Sequence, residues 1–391
     1  MLNILEGCSV KKFTAVLAVV FFALLWVPPA LAREPQCPEL SLEEAVARAL
    51  RYSKTLERSV LDVTYADETR KDASLVLVGR FGADWATNYK PGVEGPYAGY
   101  LAADYGYEAA QKKKELQEDI VVADVHAKYY GILKAKEKLA AAEAALAAEE
   151  KKYAAAEARF QVGMISRSAL NQAAMQLAQR RAELASAQSS VDNAYVAFNQ
   201  LVGLYPEDRP VLTDTVTFAA LEVSNLSSAV AGIAGGNPLQ WILEKGAELR
   251  ERLIGLTGSG DQAEILADQA KLDAAIRKED TRTAAYNLYY AVKQLEDAYN
   301  AALEGVRVAE EGLRVARVMH EVGLAPVTDV VSAEAALAQA KQALFDLICQ
   351  HELMKMAFYK PWTYGVLIGG TGSVSPASGG SQSSSGHPSG Q

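Results

Sequence analysis

Cysteine, histidine and long apolar runs are all scarce in this 391-residue chain, and each scarcity closes off a class of function. There are three cysteines, Cys8, Cys37 and Cys349, too few for a disulfide framework and without metal-ligand spacing. His126, His320 and His351 are scattered, again without ligand spacing. Gly258-Ser259-Gly260 lacks the lysine and spacing of a phosphate loop, and no nucleophile elbow occurs. The chain is therefore not expected to be an enzyme, and no cofactor or metal is expected. The net charge is −9, and the only basic block is Lys112 to Lys114, which argues against nucleic acid as a partner. Proline is sparse inside the long segments while alanine abounds, a composition suited to long helices in close contact.

The one sustained apolar run, Phe13 to Val27, lies near the N-terminus. Lys11 and Lys12 precede it, Pro28-Pro29 break it, and Ala30-Leu31-Ala32 gives a cleavage pattern, so residues 1–32 read as a secretory signal peptide. The run is shorter than the roughly 20 residues a spanning helix needs. Cys37 does not directly follow the cleavage site, so no lipid-anchored N-terminal cysteine is expected. With no second run of that kind, any membrane crossing by the exported chain would have to use strands in a closed barrel.

What the sequence does contain is a duplication. Phe160-Gln161-Val162-Gly163-Met164-Ile165 parallels His320-Glu321-Val322-Gly323-Leu324-Ala325 at an offset of 160. Ala173, Leu177, Gln179 and Leu184 match Ala333, Leu337, Gln339 and Leu344 at the same offset. Ile132, Leu139, Leu146, Tyr153 and Phe160 recur every seven residues, as do Val292, Tyr299, Val306, Leu313 and His320. A seven-residue apolar period marks a coiled-coil seam. Each copy thus predicts a long helix, a Val-Gly turn and a returning helix. The long helices are expected over about 107–161 and 262–321, and the returns over about 168–201 and 326–359. Glycine accepts positive φ at a helix C-terminus, Ser166 or Ser168 can cap the first return, and Pro326 suits the start of the second.

The copies also match at their starts, where Leu42 to Ala47 parallels Leu226 to Ala231 at an offset of 184. The shift from 184 to 160 leaves the second copy 24 residues shorter. In the first copy this interval holds an alternating stretch. Phe81, Ala83, Trp85, Thr87 and Tyr89 are followed by a Pro/Gly turn and by Tyr97, Leu101, Tyr105 and Tyr107. It reads as a β-hairpin over about 75–107, whereas the second copy has only a loop at Gly255 to Asp261.

Helix, strand pair, long helix, Val-Gly turn and return, repeated once, resembles the TolC-like outer membrane efflux family over about residues 40–361. Leu40 to Leu50 is similar to the family's first helix, and Arg159 to Ser166 and Val322-Gly323-Leu324 to its helix-turn tips. The expected fold is mainly α, built of duplicated long helical hairpins that form a coiled-coil tunnel subunit. The expected organisation is a signal peptide (1–32), a first repeat (33–203), a connector (204–223), a second repeat (224–361) and a disordered Gly/Ser-rich tail (362–391).

The resemblance implies a homo-trimer at the cell outer membrane and in the periplasm. It implies a periplasmic adaptor (membrane fusion) protein docked at the tips, with an inner-membrane transporter supplying energy. Carried over by position, Val162, Gly163, Met164 and Ile165, with Val322, Gly323 and Leu324, form the adaptor-docking tips. Asp329 matches a tunnel-entrance aspartate, while Ala169 and Ser332 depart from the acidic pattern. Trp85, Tyr89, Tyr97 and Tyr105 are candidates for a membrane-interface girdle. One strand pair per subunit is half of what the resemblance implies for a barrel. This keeps a second reading in view, a non-conducting coiled-coil structural protein of the cell envelope derived from the same fold.

Overall fold

Several helix starts in this chain are written into short polar side chains. In the computed structural model, which describes residues 38–83, 90–257 and 260–367, the Ser41 hydroxyl accepts the Glu44 N–H at 3.2 Å. The Glu44 carboxylate in turn accepts the Ser41 N–H at 3.2 Å. This capping box opens α1 (Leu42–Tyr52). Ser53 caps α2 (Lys54–Phe81) through the Leu56 N–H. The second copy repeats the device. Asn225 caps α5 (Leu226–Gly236), and Asn237 accepts from the Leu239 N–H at 3.0 Å where α6 (Pro238–Thr257) begins.

The remaining helices are the long ones. α3 (Glu94–Gln161) has 68 residues and α7 (Asp261–Glu321) has 61, which at 1.5 Å per residue makes them roughly 100 and 90 Å long. They return as α4 (Arg167–Val202) and α8 (Val327–Tyr359). A two-residue parallel pair, β1 (Glu39–Leu40) with β2 (Val211–Leu212), ties the chain start to the connector. α3 is central and touches α2, α4, α6 and α8, whereas α7 touches α6 and α8 and the short α5. Two helical hairpins, α3–α4 and α7–α8, point one way, and two others, α2–α3 and α6–α7, point the opposite way.

Between them lies a waist with two buried clusters. Val125, Tyr129 and Ile132 pack with Phe198 and Val202 in the first, and Ala285, Leu288 and Val292 with Phe358 in the second. Ile132 and Val292, and Phe198 and Phe358, are equivalent positions of the two copies. The connector is bound to both halves. The Tyr129 hydroxyl accepts the Asp214 N–H at 3.0 Å, and the Leu42 N–H donates to Asp214 at 2.6 Å. On the other side Glu296 accepts the Leu221 N–H at 2.7 Å, and Lys293 donates to the Leu221 carbonyl at 2.8 Å. Phe218 stacks on Tyr299 at 3.8 Å and lies over the buried His351.

The strand pair expected over 75–107 is not found among the described residues. α2 continues through Phe81 and α3 begins at Glu94; Trp85 and Tyr89 lie outside the described residues. The physical reason is a degenerate period. Tyr97, Leu101 and Tyr105 are spaced by four, which satisfies alternation but equally sets them on one helical face, as it does Leu77 and Phe81, both buried. The 24-residue difference is spread along this arm: α2 has 28 residues against 20 for α6, and α3 has 68 against 61 for α7. The shorter link between the helices, residues 258–260 against 82–93, accounts for the rest.

Residues 362–367, expected to belong to a disordered tail, are folded. A 3₁₀ turn (Pro361–Thr363) and α9 (Tyr364–Leu367) pack against α3 and α8, with Thr363 and Leu367 buried and Trp362 donating to Asp119 at 2.9 Å. The apolar side chains just before the Gly/Ser stretch suffice to dock it.

Gly203 ends α4 at φ +70, and a Cβ there would lie 2.6 Å from the Tyr52 ring. Gly203→Ala is expected to cost about 1–3 kcal/mol in urea unfolding. Gly131→Ala, inside α3 with nothing within 4 Å of the added carbon, is expected to stabilise by about 0.5–1 kcal/mol.

Burial pushes the Glu296 carboxyl up, but Lys293, the Leu221 N–H and His351 outweigh it, and the group sits below its ordinary value. A lowered carboxylate stabilises above its unfolded pKa and loses that contribution as pH falls. Glu296→Gln should therefore destabilise at neutral pH, by about 1.5–3 kcal/mol for a charged hydrogen-bond partner. The gap to the parent protein should narrow as unfolding is measured at pH values falling through 4. A gap that does not change with pH would contradict the account.

Candidate functional site: the paired helix tips

Both long helices stop in the same way. At the first, the Gly163 N–H donates to the Phe160 carbonyl at 2.9 Å and the Met164 N–H to the Arg159 carbonyl at 2.8 Å. At the second, Gly323 donates to His320 at 2.9 Å and Leu324 to Met319 at 2.8 Å. Gly163 and Gly323 have φ of +74 and +77. This is the Schellman arrangement, in which a left-handed residue lets two N–H groups reach back to otherwise unpaired helix carbonyls. Glycine is needed for the backbone rather than for space, since nothing lies within 4 Å of an added Cβ at either position.

With the backbone satisfied internally, the side chains are left to solvent. Val162, Met164, Val322 and Leu324 are between 63% and 79% exposed. Ile165 is half-buried beneath the first turn, as is its counterpart Ala325 beneath the second. Each turn is thus a rigid loop with two large apolar side chains at the end of a helical hairpin, and the two loops differ mainly in side-chain size. Single exposed apolar residues are unremarkable, but an apolar tip repeated on matching backbone bonds sets these two turns apart from the rest of the surface.

The tips also differ in how the chain leaves them. Ser166 caps α4, its hydroxyl accepting the Ala169 N–H at 3.2 Å. Pro326 precedes α8 without a side-chain cap. There His320 Nδ1 lies 2.9 Å from the Ala325 carbonyl, and the Ala325 N–H donates to Met319 at 3.1 Å. The histidine therefore ties the second turn where Phe160 stands in the first. Sequence reasoning passed over this role, although the Phe-to-His change between matched positions was its visible signal.

Asp329 is exposed in the first turn of α8, where a carboxylate favours the helix dipole. Ser332 does not extend an acidic patch, because its hydroxyl donates back to the Thr328 carbonyl at 2.6 Å. Asp329 and the Val322-Gly323-Leu324 turn lie close together on one hairpin. Tyr97 and Tyr105, two of the residues considered for a membrane girdle, are far from it. The Tyr105 hydroxyl donates to the Ile242 carbonyl at 2.9 Å and lies against Gly246, inside the contact between α3 and α6. Tyr97 is half-buried in the first turn of α3. Among the described residues no helix is long and apolar enough to cross a membrane.

Residues 98–204, the body of α3 with its tip and return, match the sequence profile of the outer membrane efflux protein family. No curated protein sequence matches the chain. The fold has solved relatives. A membrane protein from Pseudomonas aeruginosa superposes with a TM-score of 0.64 at 16% identity, over 83% of this chain and 93% of that one. The Campylobacter jejuni CmeC outer membrane channel gives 0.63 at 15% identity, over 86% and 91%. The outer membrane protein VceC from Vibrio cholerae gives 0.60 at 18%, over 83% and 95%. In fold over 83–86% of its length, and in sequence over residues 98–204, the chain resembles the TolC-like outer membrane efflux proteins.

Proposed function

We propose that this chain is one subunit of an outer-membrane efflux channel, an exit duct in which three copies surround a tunnel through the periplasm. The duplicated apolar tip carries this reading. Two turns with matched backbone bonds, presenting Val162 and Met164, and Val322 and Leu324, give each subunit two similar docking points. A periplasmic adaptor protein would seat on them, and an inner-membrane transporter would supply the energy. The channel itself performs no chemistry. Asp329, just past the second tip, repeated around a three-fold axis, would form an acidic ring that attracts cations at the tunnel entrance.

A second reading, a coiled-coil spacer of the cell envelope that does not conduct, draws support from one observation. The described residues at the end opposite the tips are helical where strands were expected. The two readings part on conductance and mass. A duct gives a closed oligomer in detergent and steps of current in a planar bilayer, whereas a spacer that is monomeric or dimeric and silent would sink the first reading.

Two substitutions sharpen the test. Replacing Val322 and Leu324 together by Asp leaves the backbone bonds of the turn in place. It is expected to cut photo-crosslinking to the adaptor at least tenfold, with helicity by circular dichroism unchanged; undiminished crosslinking would remove the tips as docking points. Asp329→Asn is expected to lower the preference for cations, read as a reversal potential shifted towards zero in a salt gradient. An unchanged reversal potential would make Asp329 an ordinary solvated charge.

A further inference from the structure

The central helix α3 and its counterpart α7 have unequal company. α3 is flanked by its own repeat, α2 and α4, and by the other, α6 and α8. Among the described residues α7 is flanked by its own repeat, α6 and α8, with the short α5 and the 3₁₀ turn besides; it makes no substantial contact with α2 or α4. One whole side of α7 therefore lacks the neighbours that the equivalent side of α3 possesses.

The side chains register the difference at the 160-residue offset. Ala141, Ala145 and Ala148 are buried on α3, whereas Ala301, Gly305 and Val308 are exposed on α7. Ala148 is 3% exposed and Val308 72%. Tyr130 shares a buried cluster with Cys349 of α8 and is 9% exposed; Tyr290 is 63% exposed. Leu116 is buried and Ile276 exposed. By contrast Leu146 and Tyr153, which face the helix's own return, are half-buried, and their counterparts Val306 and Leu313 are buried. One seam is thus filled in both copies, and the second only in the first.

The partners show the mirror-image pattern. Ala335 of α8 is buried while its counterpart Met175 on α4 is exposed. Leu249 of α6 is half-buried while its counterpart Tyr65 on α2 is exposed. The open side of α7 is a socket of the kind α3 offers to α6 and α8, and the open sides of α2 and α4 have the form of what fills it.

Given the ring proposed above, in which the open side of α7 meets α2 and α4 of a neighbouring copy, we infer that this helix-to-helix contact runs on to the end opposite the tips, so that the wall there is made of helices. A heterologous contact of this kind closes into a ring when its rotation allows. The inference rests on the ring proposed above and adds what its far end is built of. The intrachain contacts set the register. Tyr105 against Gly246 places Ile265 against Asp62 of the next copy. Lys134, 3.8 Å from Asp346, places Gln294 against Ser186.

Paired cysteines test this on the full chain, in a Cys37→Ser background that keeps the buried Cys349. Ile265→Cys with Asp62→Cys reports the far end, and Gln294→Cys with Ser186→Cys reports the waist. Both pairs are expected to give oxidant-dependent ladders of linked subunits, while each single substitution gives none. Linking at the waist alone would overturn the helical far wall and leave the ring standing. An oligomeric mass in detergent with neither pair linking would overturn the assigned faces but not the oligomer, and a monomeric mass would overturn both. As a check that does not depend on linking, Val308→Glu is expected to convert the oligomer to monomer with unchanged helicity. A Val308→Glu protein of unaltered mass would place that face against solvent or lipid and defeat the inference.

Discussion

A helix of sixty or more residues has no core of its own and is stable only where neighbours cover its apolar side. That requirement organises this molecule. α3 meets it by carrying two seams, one towards its own return and one towards the second repeat, and the second is lined by Ala141, Ala145 and Ala148. Small residues let helices approach closely, so the join between repeats is made by backbone proximity rather than by large side chains. The waist is the exception. Phe198 and Phe358 anchor two equivalent clusters there, and the connector must be accommodated between them.

The tips follow from the opposite arrangement. Helix ends leave four carbonyls without partners, and here the Schellman bonds use Gly163 and Gly323 to satisfy the last of them from within. No side chain is needed to close the turn, so Val162, Met164, Val322 and Leu324 remain free to meet something else. The order and stability of the loop lie in its backbone, and its chemistry lies in side chains that can vary without unmaking it. Asp329 stands a few residues on, exposed in the first turn of its own helix, with the Thr328 hydroxyl donating to its carboxylate at 3.4 Å.

Much of this was legible in the sequence because its signals are local and repeated. The seven-residue seams and Val-Gly pairs located the ends of α3 and α7 at Gln161 and Glu321, where the structure has them. The start of α3 was misplaced because residues spaced by four fit a strand and a helix alike, and tertiary packing on α6 decides between them. Tyr105 is the residue that shows the decision, with its hydroxyl on the Ile242 carbonyl. The connector's bonds to Tyr129, Glu296 and Lys293 join residues 72 to 85 positions apart, and no periodicity announces them. Nor could a heptad pattern say which seams are filled within one chain and which are left open. That depends on how many helices the chain itself can place around each long one.

The connector's two-sided binding has a mechanical consequence. Asp214 is held from the first repeat and Leu221 from the second, so the waist is a fixed point through which the repeats are strapped together. From Glu296 to the tip at Glu321 the second arm runs on for roughly 38 Å. A rigid rod pivoting at that strap through about 5° would carry its end about 3 Å, close to the spacing of two residues along the helix. The tips are therefore the ends of long arms, and the strap at Glu296 together with the alanine seam of α3, nearer the tip, sets where the second one lies.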